Sequence, residues 1–307
     1  MATTNNLTTT YAGEFAGKYV SAALLSGKTL AEGNITVKPN VKYKEVMKKV
    51  ATDDIVKDAT CDFDATSTLT LTERILTPEE FQVNLQLCKK DFRADWEAVQ
   101  MGYSAYDNLP PSFSDFLIAH VADKVAQKME QNIWNGTNAT AGEFDGFKTT
   151  LLADGDVNDV AAGAVTSTNV VAEVGKIVDA IPSAVYGSED LFIYVSNNIY
   201  RAYVRALGGF ATNVGAAGTD NKGTQWFNGG ALTYDGINVV LASGLADNTA
   251  VAAEKSNLFF GTGLMSDQNE VKVIDMADID GSQNVRVIMR FTAGIQHAIG
   301  GDIVLYS

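Results

Sequence analysis

Cysteine, histidine and proline are scarce in this chain of 307 residues, which has two, two and five of them respectively. Cys61 and Cys88 lack CxxC spacing, and His120 and His297 lack an HxxxH or HxxE companion. Because zinc and non-haem iron sites need several such ligands, we expect no metal and no cofactor. Two free thiols in a reducing compartment are the expected state of the cysteines.

Long apolar runs and a basic surplus are also missing. No apolar run approaches the ~20 residues of a bilayer span, and no basic segment followed by an apolar one opens the chain, so we expect neither membrane contact nor export. The net charge is −14, whereas nucleic-acid surfaces need clustered Lys and Arg, so any DNA contact should be weak and non-specific. Without a GxSxG nucleophile motif, the chain is not expected to be an enzyme.

Basic charge is nevertheless concentrated in residues 35–50, ITVKPNVKYKEVMKKV, which contain five lysines and one glutamate. A period of two predicts a strand with an apolar face and a cationic face. The apolar face would carry Ile35, Val37, Val41, Tyr43 and Met47, and the cationic face Lys38, Lys42, Lys44 and Lys48. Subtracting the segment's +4 from −14 leaves −18 on the rest of the chain. The acidic surface of another copy is therefore an attractive partner; the alternative is a solvated edge that lysine protects from aggregation.

Residues 61–76 alternate in the same way and predict a second strand. With residues 35–50 they predict a β-hairpin that turns near residues 53–57, places Lys48 near Asp62, and leaves Lys38, Lys42 and Lys44 facing threonines. A lone two-stranded ribbon is only marginally stable in water. We therefore expect the hairpin to be supported by its own domain or by a neighbouring molecule.

The remaining chain mixes strands and helices and predicts an α+β fold. A strand is expected at residues 81–87, a short helix at 89–99, and a long helix at 112–135 that opens on a capping box. Residues 137–168 predict a loop with one short strand. Further elements are expected at 167–181 (helix), 191–195 (strand), 197–207 (helix), 208–230 (loop), 232–242 (hairpin), 284–291 and 302–307 (strands).

The order of these parts resembles the major capsid proteins of tailed phages with the Hong Kong 97 fold. The local stretches that carry the resemblance are PPSFSDFLIAHVADKVAQKMEQNIWNGTNATAGEFDGF, TLTERILTPEEFQVNLQLCKKDFRADWEA, NLFFGTG and NVRVIMRFTAGIQHAIGGDIVLYS. The resemblance implies an N-terminal arm (1–34), an extended β-hairpin loop (35–76), a peripheral domain (77–150 and 271–307) with a spine helix (112–135), and an axial domain (151–270).

The resemblance also implies a function, in which the chain self-assembles into the icosahedral head that encloses the genome of a tailed double-stranded DNA phage. Its partners would be copies of itself in pentamers and hexamers, with a separate scaffolding protein, a portal and a decoration protein as further possibilities. The inter-subunit contact would be made by Lys38, Lys42, Lys44, Lys48 and Lys49. The location would be the virion, and the host cytoplasm before assembly.

Two other functions remain open from the sequence. An encapsulin-like protein compartment would have a similar fold and would enclose a cargo enzyme instead of a genome. A soluble α+β enzyme with an unrecognised site would form a small, discrete oligomer and not a closed shell.

Overall fold

The computed structural model describes residues 28–52, 56, 58–59, 61, 69–92, 111–207, 232–263 and 272–307. The helices in these residues are α1 (Lys28–Ala31), α2 (Lys89–Phe92), α3 (Pro111–Asn135), α4 (Phe147–Leu152), α5 (Val170–Asp179), α6 (Asn197–Leu207) and α7 (Ala277–Asp280). The strands are β1 (Thr36–Lys38), β2 (Glu45–Thr52), β3 (Leu69–Leu76), β4 (Glu79–Cys88), β5 (Asn158–Val160), β6 (Leu191–Val195), β7 (Leu232–Tyr234), β8 (Ile237–Leu241), β9 (Ala250–Glu254), β10 (Leu258–Gly261), β11 (Lys272–Asp275), β12 (Asn284–His297) and β13 (Val304–Tyr306).

The long strand β12 organises a five-stranded sheet with β1, β4, β10 and β11. It pairs antiparallel with β4 over ten residues, with β11 near its start and with β10 at its end. Its side chains alternate as a sheet with one covered face requires, because Val285, Val287, Met289 and Phe291 are all buried. Helix α3 covers this face, where Leu117 and Val121 pack against Val285 and Val287.

A second sheet of six strands has the order β5, β13, β9, β6, β8, β7. Helices α5 and α6 pack on it, and each carries a stripe of buried apolar residues at helical spacing. The hairpin from β7 to β8 turns at Asp235 and Gly236, whose φ angles are 50° and 82°. Positive φ at both turn residues gives the twist that suits a tight two-residue hairpin.

The two sheets and helix α3 share one hydrophobic cluster, so the two halves of the fold are joined by a common core. This cluster contains Met129, Ile133 and Trp134 of α3, Phe260 of the five-stranded sheet and Tyr194 of the six-stranded sheet. None of the helices in the described residues combines the length and hydrophobicity of a membrane span.

Most of the predicted elements are present. The long helix, the strand that follows Pro78, the helices α5 and α6, the β7–β8 hairpin and the strands β6, β12 and β13 lie where the sequence patterns place them. Helix α4 was not expected, because it spans only six residues and no side chain caps its first turn. Residues 93–99 and the expected loop at 208–230 lie outside the described residues.

The sheets do not divide at the predicted domain boundaries. Strand β13, expected in the peripheral domain, lies in the six-stranded sheet beside β5 and β9. Strand β10, expected in the axial domain, pairs with β12 in the other sheet. Sequence order separates these strands from their partners, so periodicity within each strand carries no information about which sheet it joins. The domain bounds and names stay predictions.

Candidate subunit interface

Within the described ranges the predicted hairpin is present as a two-stranded ladder of β2 and β3. In its register Val46 lies opposite Ile75, Lys48 opposite Glu73 and Lys49 opposite Thr72. Side chains of directly opposed residues share a face, and the faces alternate along each strand. The hairpin therefore has two distinct faces, one with Val46 and Lys48 and the other with Met47 and Lys49.

One of these faces exposes large apolar side chains. Relative exposure is 46% for Val46, 63% for Leu69, 63% for Leu71 and 40% for Ile75. We call these four residues the apolar hairpin face; the opposed residues Lys48 and Glu73 lie between them. Clustered apolar side chains that folding leaves exposed mark surfaces for protein or membrane contact. Their position on a ribbon that needs support makes this face the strongest candidate interface in the described part of the chain.

The base of the hairpin is packed tightly onto the five-stranded sheet. Leu76 is fully buried and lies over Gly261, where a built Cβ atom would approach Leu76 Cδ2 to 2.7 Å. Gln296 Nε2 donates to the carbonyl oxygen of Ile75 at 3.1 Å. A Cβ at Gly294 would lie 2.9 Å from Pro78 Cα. Glycine at these two positions thus allows the hairpin exit to approach β10 and β12 closely.

A charged cluster joins the same base to the body. Asp154 Oδ2 pairs with the Arg74 guanidinium and lies 2.8 Å from His297 Nε2, and the His297 side chain is fully buried. Burial lowers the pKa of His297; the hydrogen bond to Asp154 opposes this shift and the Arg74 charge adds to it. Burial alone raises the pKa of Asp154, but hydrogen bonds from His297 and the Asp156 backbone and the Arg74 charge together hold it below its usual value.

This cluster predicts how stability depends on pH. The unfolded chain protonates His297 near 6.5 and the folded chain only at lower pH, so stability should fall as the pH drops below that value. His297→Gln keeps an N–H donor for Asp154. It should remove the contribution of His297 to the pH dependence of the unfolding free energy, which is at most about 1.4 kcal/mol per pH unit. Urea unfolding of unassembled subunits at about pH 7.5 and about pH 5.5 measures the change. His120→Gln is the control; equal pH dependence of His297→Gln and the unchanged chain contradicts the prediction.

The structure places the five candidate lysines in different environments. Lys38 lies in β1, forms an ion pair with Glu45 at 2.6 Å and sits over the Phe259 ring of its own chain. Lys42, Lys44 and Lys48 are exposed, and Lys49 is half-buried. Lys48 and Lys49 are adjacent in β2 and therefore project from opposite faces. The five lysines do not form one continuous surface, and whether they contact another subunit stays a prediction.

Two details of the predicted hairpin are wrong. Residues 36–38 pair with β10 and not with the second strand, because Pro39 and Asn40, which has φ of 63°, break the strand before β2 begins. The residue opposite Lys48 in the ladder is Glu73, so the predicted cross-strand pairing of Lys48 with Asp62 is also wrong. The expected turn near 53–57 lies outside the described residues, apart from residue 56.

The apolar groove beside α3 offers little catalytic chemistry. A groove of about 470 Å³ lies between α3 and the β4–β12 ladder. Phe81, Val83, Val121, Met129 and Phe291 dominate its lining, and no carboxylate, serine or cysteine is among its described lining residues. No group of three or more metal-ligating side chains occurs in the described part of the chain. The buried His297–Asp154 pair contacts Arg74, which is not a nucleophile.

Sequence comparison finds no relative: no family model matches the chain, and no curated protein matches it. Solved structures do match. The capsid of a native GTA particle has a TM-score of 0.64 at 14% identity, over 98% of this chain and 94% of that one. The capsid of the Myoviridae phage XM1 gives 0.58 at 12%, over 92% of each chain. Gordonia phage Cozz gives 0.61 at 11%, over 96% and 90%.

These matches extend over nearly the whole chain and establish its fold. The chain has the fold of a tailed-phage major capsid protein, and the α+β fold of Hong Kong 97 type that the sequence resemblance implied is confirmed. Within this fold the β3 half of the apolar hairpin face was accessible to sequence reasoning, because Leu69, Leu71 and Ile75 alternate with polar residues. The β2 half was predicted wrongly, because Val46 and Lys48 share this face and Met47 lies on the other. The charged cluster at the hairpin base could not be predicted from the sequence, because its members come from distant segments.

Proposed function

We propose that this chain is a major capsid protein that self-assembles into the icosahedral head enclosing the genome of a tailed double-stranded DNA phage. The observation that carries the proposal is the apolar hairpin face, which folding of a single chain leaves exposed. The fold match to phage and GTA capsids supports the same function. Burial of that face against an adjacent copy supplies both the contact and the support that the ribbon needs.

The partners in this proposal are chiefly other copies of the chain, arranged as pentamers and hexamers. Each subunit touches several neighbours, so many modest contacts add up to a cooperative shell. A separate scaffolding protein, a portal and a decoration protein complete the proposed set. The net charge of −14 leaves packaged DNA only weak, non-specific contact with the subunit. The proposed location is the virion, preceded by the host cytoplasm.

The role of the chain is structural and not catalytic in this proposal. The apolar groove beside α3 and the arginine-bound Asp154 support it, because neither presents an activated nucleophile. The encapsulin-like compartment is less well supported, since the matched structures described above are capsids of phages and GTA particles. Purified particles separate the two functions: DNA inside the shell supports a capsid, and a co-purified cargo enzyme supports a compartment.

The basic residues of the hairpin region are proposed to guide docking onto the acidic surface of the adjacent copy. Lys42, Lys44 and Lys48 are exposed, and the chain outside residues 35–50 carries −18. Charge complementarity of this kind mainly sets register and the rate of association. Lys38 and Lys49 contribute less in this proposal, because Lys38 already pairs with Glu45 and Lys49 is half-buried.

Reversing Lys42, Lys44 and Lys48 to glutamate is expected to slow assembly roughly tenfold at low salt and to leave the subunit folded. Light scattering follows the rate, and circular dichroism checks the fold. The matched control reverses three exposed lysines elsewhere, Lys90, Lys124 and Lys176, with the same change in net charge. Equal rates for the two triple variants contradict the docking role.

The direct test of the proposed function is the assembly state of the expressed chain. Negative-stain electron microscopy and mass photometry should show closed shells of uniform size. A discrete small oligomer under every assembly condition, with or without a co-expressed scaffolding protein, contradicts the proposal and favours the soluble enzyme.

A further inference from the structure

The charged cluster at the hairpin base brings together three segments that are far apart in the chain. Arg74 lies in β3, two residues before the buried Leu76; Asp154 follows α4; and His297 ends β12. Both Arg74 and His297 bind the same oxygen, Asp154 Oδ2. The sequence separations are 80 residues for Arg74 to Asp154 and 143 for Asp154 to His297. The cluster therefore ties the hairpin to two separate parts of the body.

The cluster is shielded from water more than a surface ion pair. Side-chain exposure is 27% for Arg74, 13% for Asp154 and zero for His297. The partial burial reduces solvent screening of the Arg74–Asp154 pair. The Lys38–Glu45 ion pair is more exposed, with side-chain exposures of 32% and 35%. It therefore contributes less to stability.

The Asp154 carboxylate is held in one orientation. Its Oδ1 accepts the backbone N–H of Asp156 at 3.2 Å. Gly300 lies beside Asp154 Oδ2. A Cβ atom built at Gly300 would lie 2.3 Å from this oxygen, so the glycine provides the space that Oδ2 occupies. A carboxylate accepts hydrogen bonds, so neutral His297 donates through Nε2. Its Nδ1 is buried without a hydrogen-bond partner among the described residues, so within that part of the chain the imidazole ring hydrogen-bonds through Nε2 to Asp154.

Among the described residues, the other contacts that hold the hairpin lie at its base, where β3 also meets β12. Its two strands pair only with each other among the described residues. Besides the cluster, the base is held by Leu76 over Gly261, by the hydrogen bond from Gln296 and by Lys38–Glu45. Gln296 binds the carbonyl of Ile75 and Leu76 ends β3, whereas Arg74 lies two residues before Leu76 and so anchors the hairpin further along its length.

We propose that Arg74, Asp154 and His297 form a latch that fixes the direction in which the hairpin leaves the body. Arg74 is the positioning residue on the hairpin, and Asp154, oriented by His297, is its receptor. A hairpin with a fixed orientation loses less conformational freedom when it docks on an adjacent copy. This benefit for assembly rests on the proposed function. The latch itself is a property of the single subunit.

Pulsed electron paramagnetic resonance on unassembled subunits tests the latch. Nitroxides are attached at Thr72→Cys on the hairpin and Ser183→Cys on the body, both exposed positions, after Cys61→Ser and Cys88→Ala remove the native thiols. The intact latch should give one narrow distance distribution. Asp154→Asn and Arg74→Met should each give a broad distribution of nitroxide distances. Arg74→Lys keeps the charge and should give a distribution close to the narrow one of the intact latch. Glu73→Gln, which alters a charge on the apolar hairpin face, should leave the distribution unchanged.

Hydrogen exchange separates a swinging hairpin from an unfolded one. The β3 amides should keep their slow exchange in Asp154→Asn, since the ladder to β2 is intact. A broad distribution together with exchange about tenfold faster across β3, equivalent to 1.4 kcal/mol, overturns the latch in favour of a merely stabilising role. An unchanged distribution in Asp154→Asn also overturns it. Because these readouts use unassembled subunits, failure of the chain to form shells contradicts the proposed function and leaves the latch result standing.

Discussion

Replacing Leu71 by aspartate is expected to prevent shell assembly and to leave the subunit folded. The Leu71 side chain is 63% exposed in the single chain, so folding does not depend on burying it. In the proposed interface it is buried, and burial of a leucine contributes about 1.5–3 kcal/mol. Each 1.4 kcal/mol corresponds to a factor of about ten in affinity, repeated at every copy of the contact. The aspartate adds the cost of removing a charge from water.

The adjacent residue gives the matched control. Thr72 is exposed and projects from the opposite face of the same strand, so Thr72→Asp introduces the same charge outside the apolar hairpin face. Negative-stain microscopy should show shells for Thr72→Asp and none for Leu71→Asp, with equal circular dichroism for both. Normal shells from Leu71→Asp contradict the proposed interface.

Replacing Trp134 by alanine is expected to destabilise the subunit by about 3–5 kcal/mol. Trp134 is fully buried in the cluster shared by the two sheets. Its ring lies 5.4 Å from that of Phe147 and 5.0 Å from that of Tyr194, and its Nε1 donates to Thr29 Oγ1 at 2.9 Å. The loss is a large part of the total stability of an ordinary domain, so much of the variant should be unfolded or insoluble.

Trp134→Phe separates the two contributions of this side chain. It keeps most of the apolar volume and removes the N–H donor, while Thr29 still donates to the buried Glu130 carboxylate. The expected loss is about 1–2 kcal/mol. Urea unfolding of unassembled subunits measures both variants. A loss under about 1 kcal/mol for Trp134→Ala contradicts the central role of this residue in the core.

Local sequence patterns predicted many of the helices and strands. The alternation in β12 and the helical spacing in α3 are strong signals, because β12 alternates buried and less buried residues and α3 buries Leu117, Val121, Met129 and Ile133 at helical spacing. The Asp235–Gly236 turn was equally clear from its residue types. The short helix α4 gave no such signal, since six residues with two threonines form a helix only through the packing of Phe147 and Leu151.

The hairpin could be predicted only in part from local sequence patterns. Its existence followed from two alternating segments, but its register depended on the length of the connecting loop, which alternation does not specify. Asn40 after Pro39 was the available indication that the first segment is interrupted. Placement of Arg74, Asp154 and His297 around one oxygen depends on contacts across 80 and 143 residues of sequence. Such contacts exist only once the sheets have assembled.

Cryo-electron microscopy of particles assembled from the unmodified chain tests the central claim most directly. The apolar hairpin face, Val46, Leu69, Leu71 and Ile75, should lie buried against an adjacent subunit at every equivalent position in the shell. Closed particles in which this face remains open to solvent, or packs only on its own subunit, would contradict the claim.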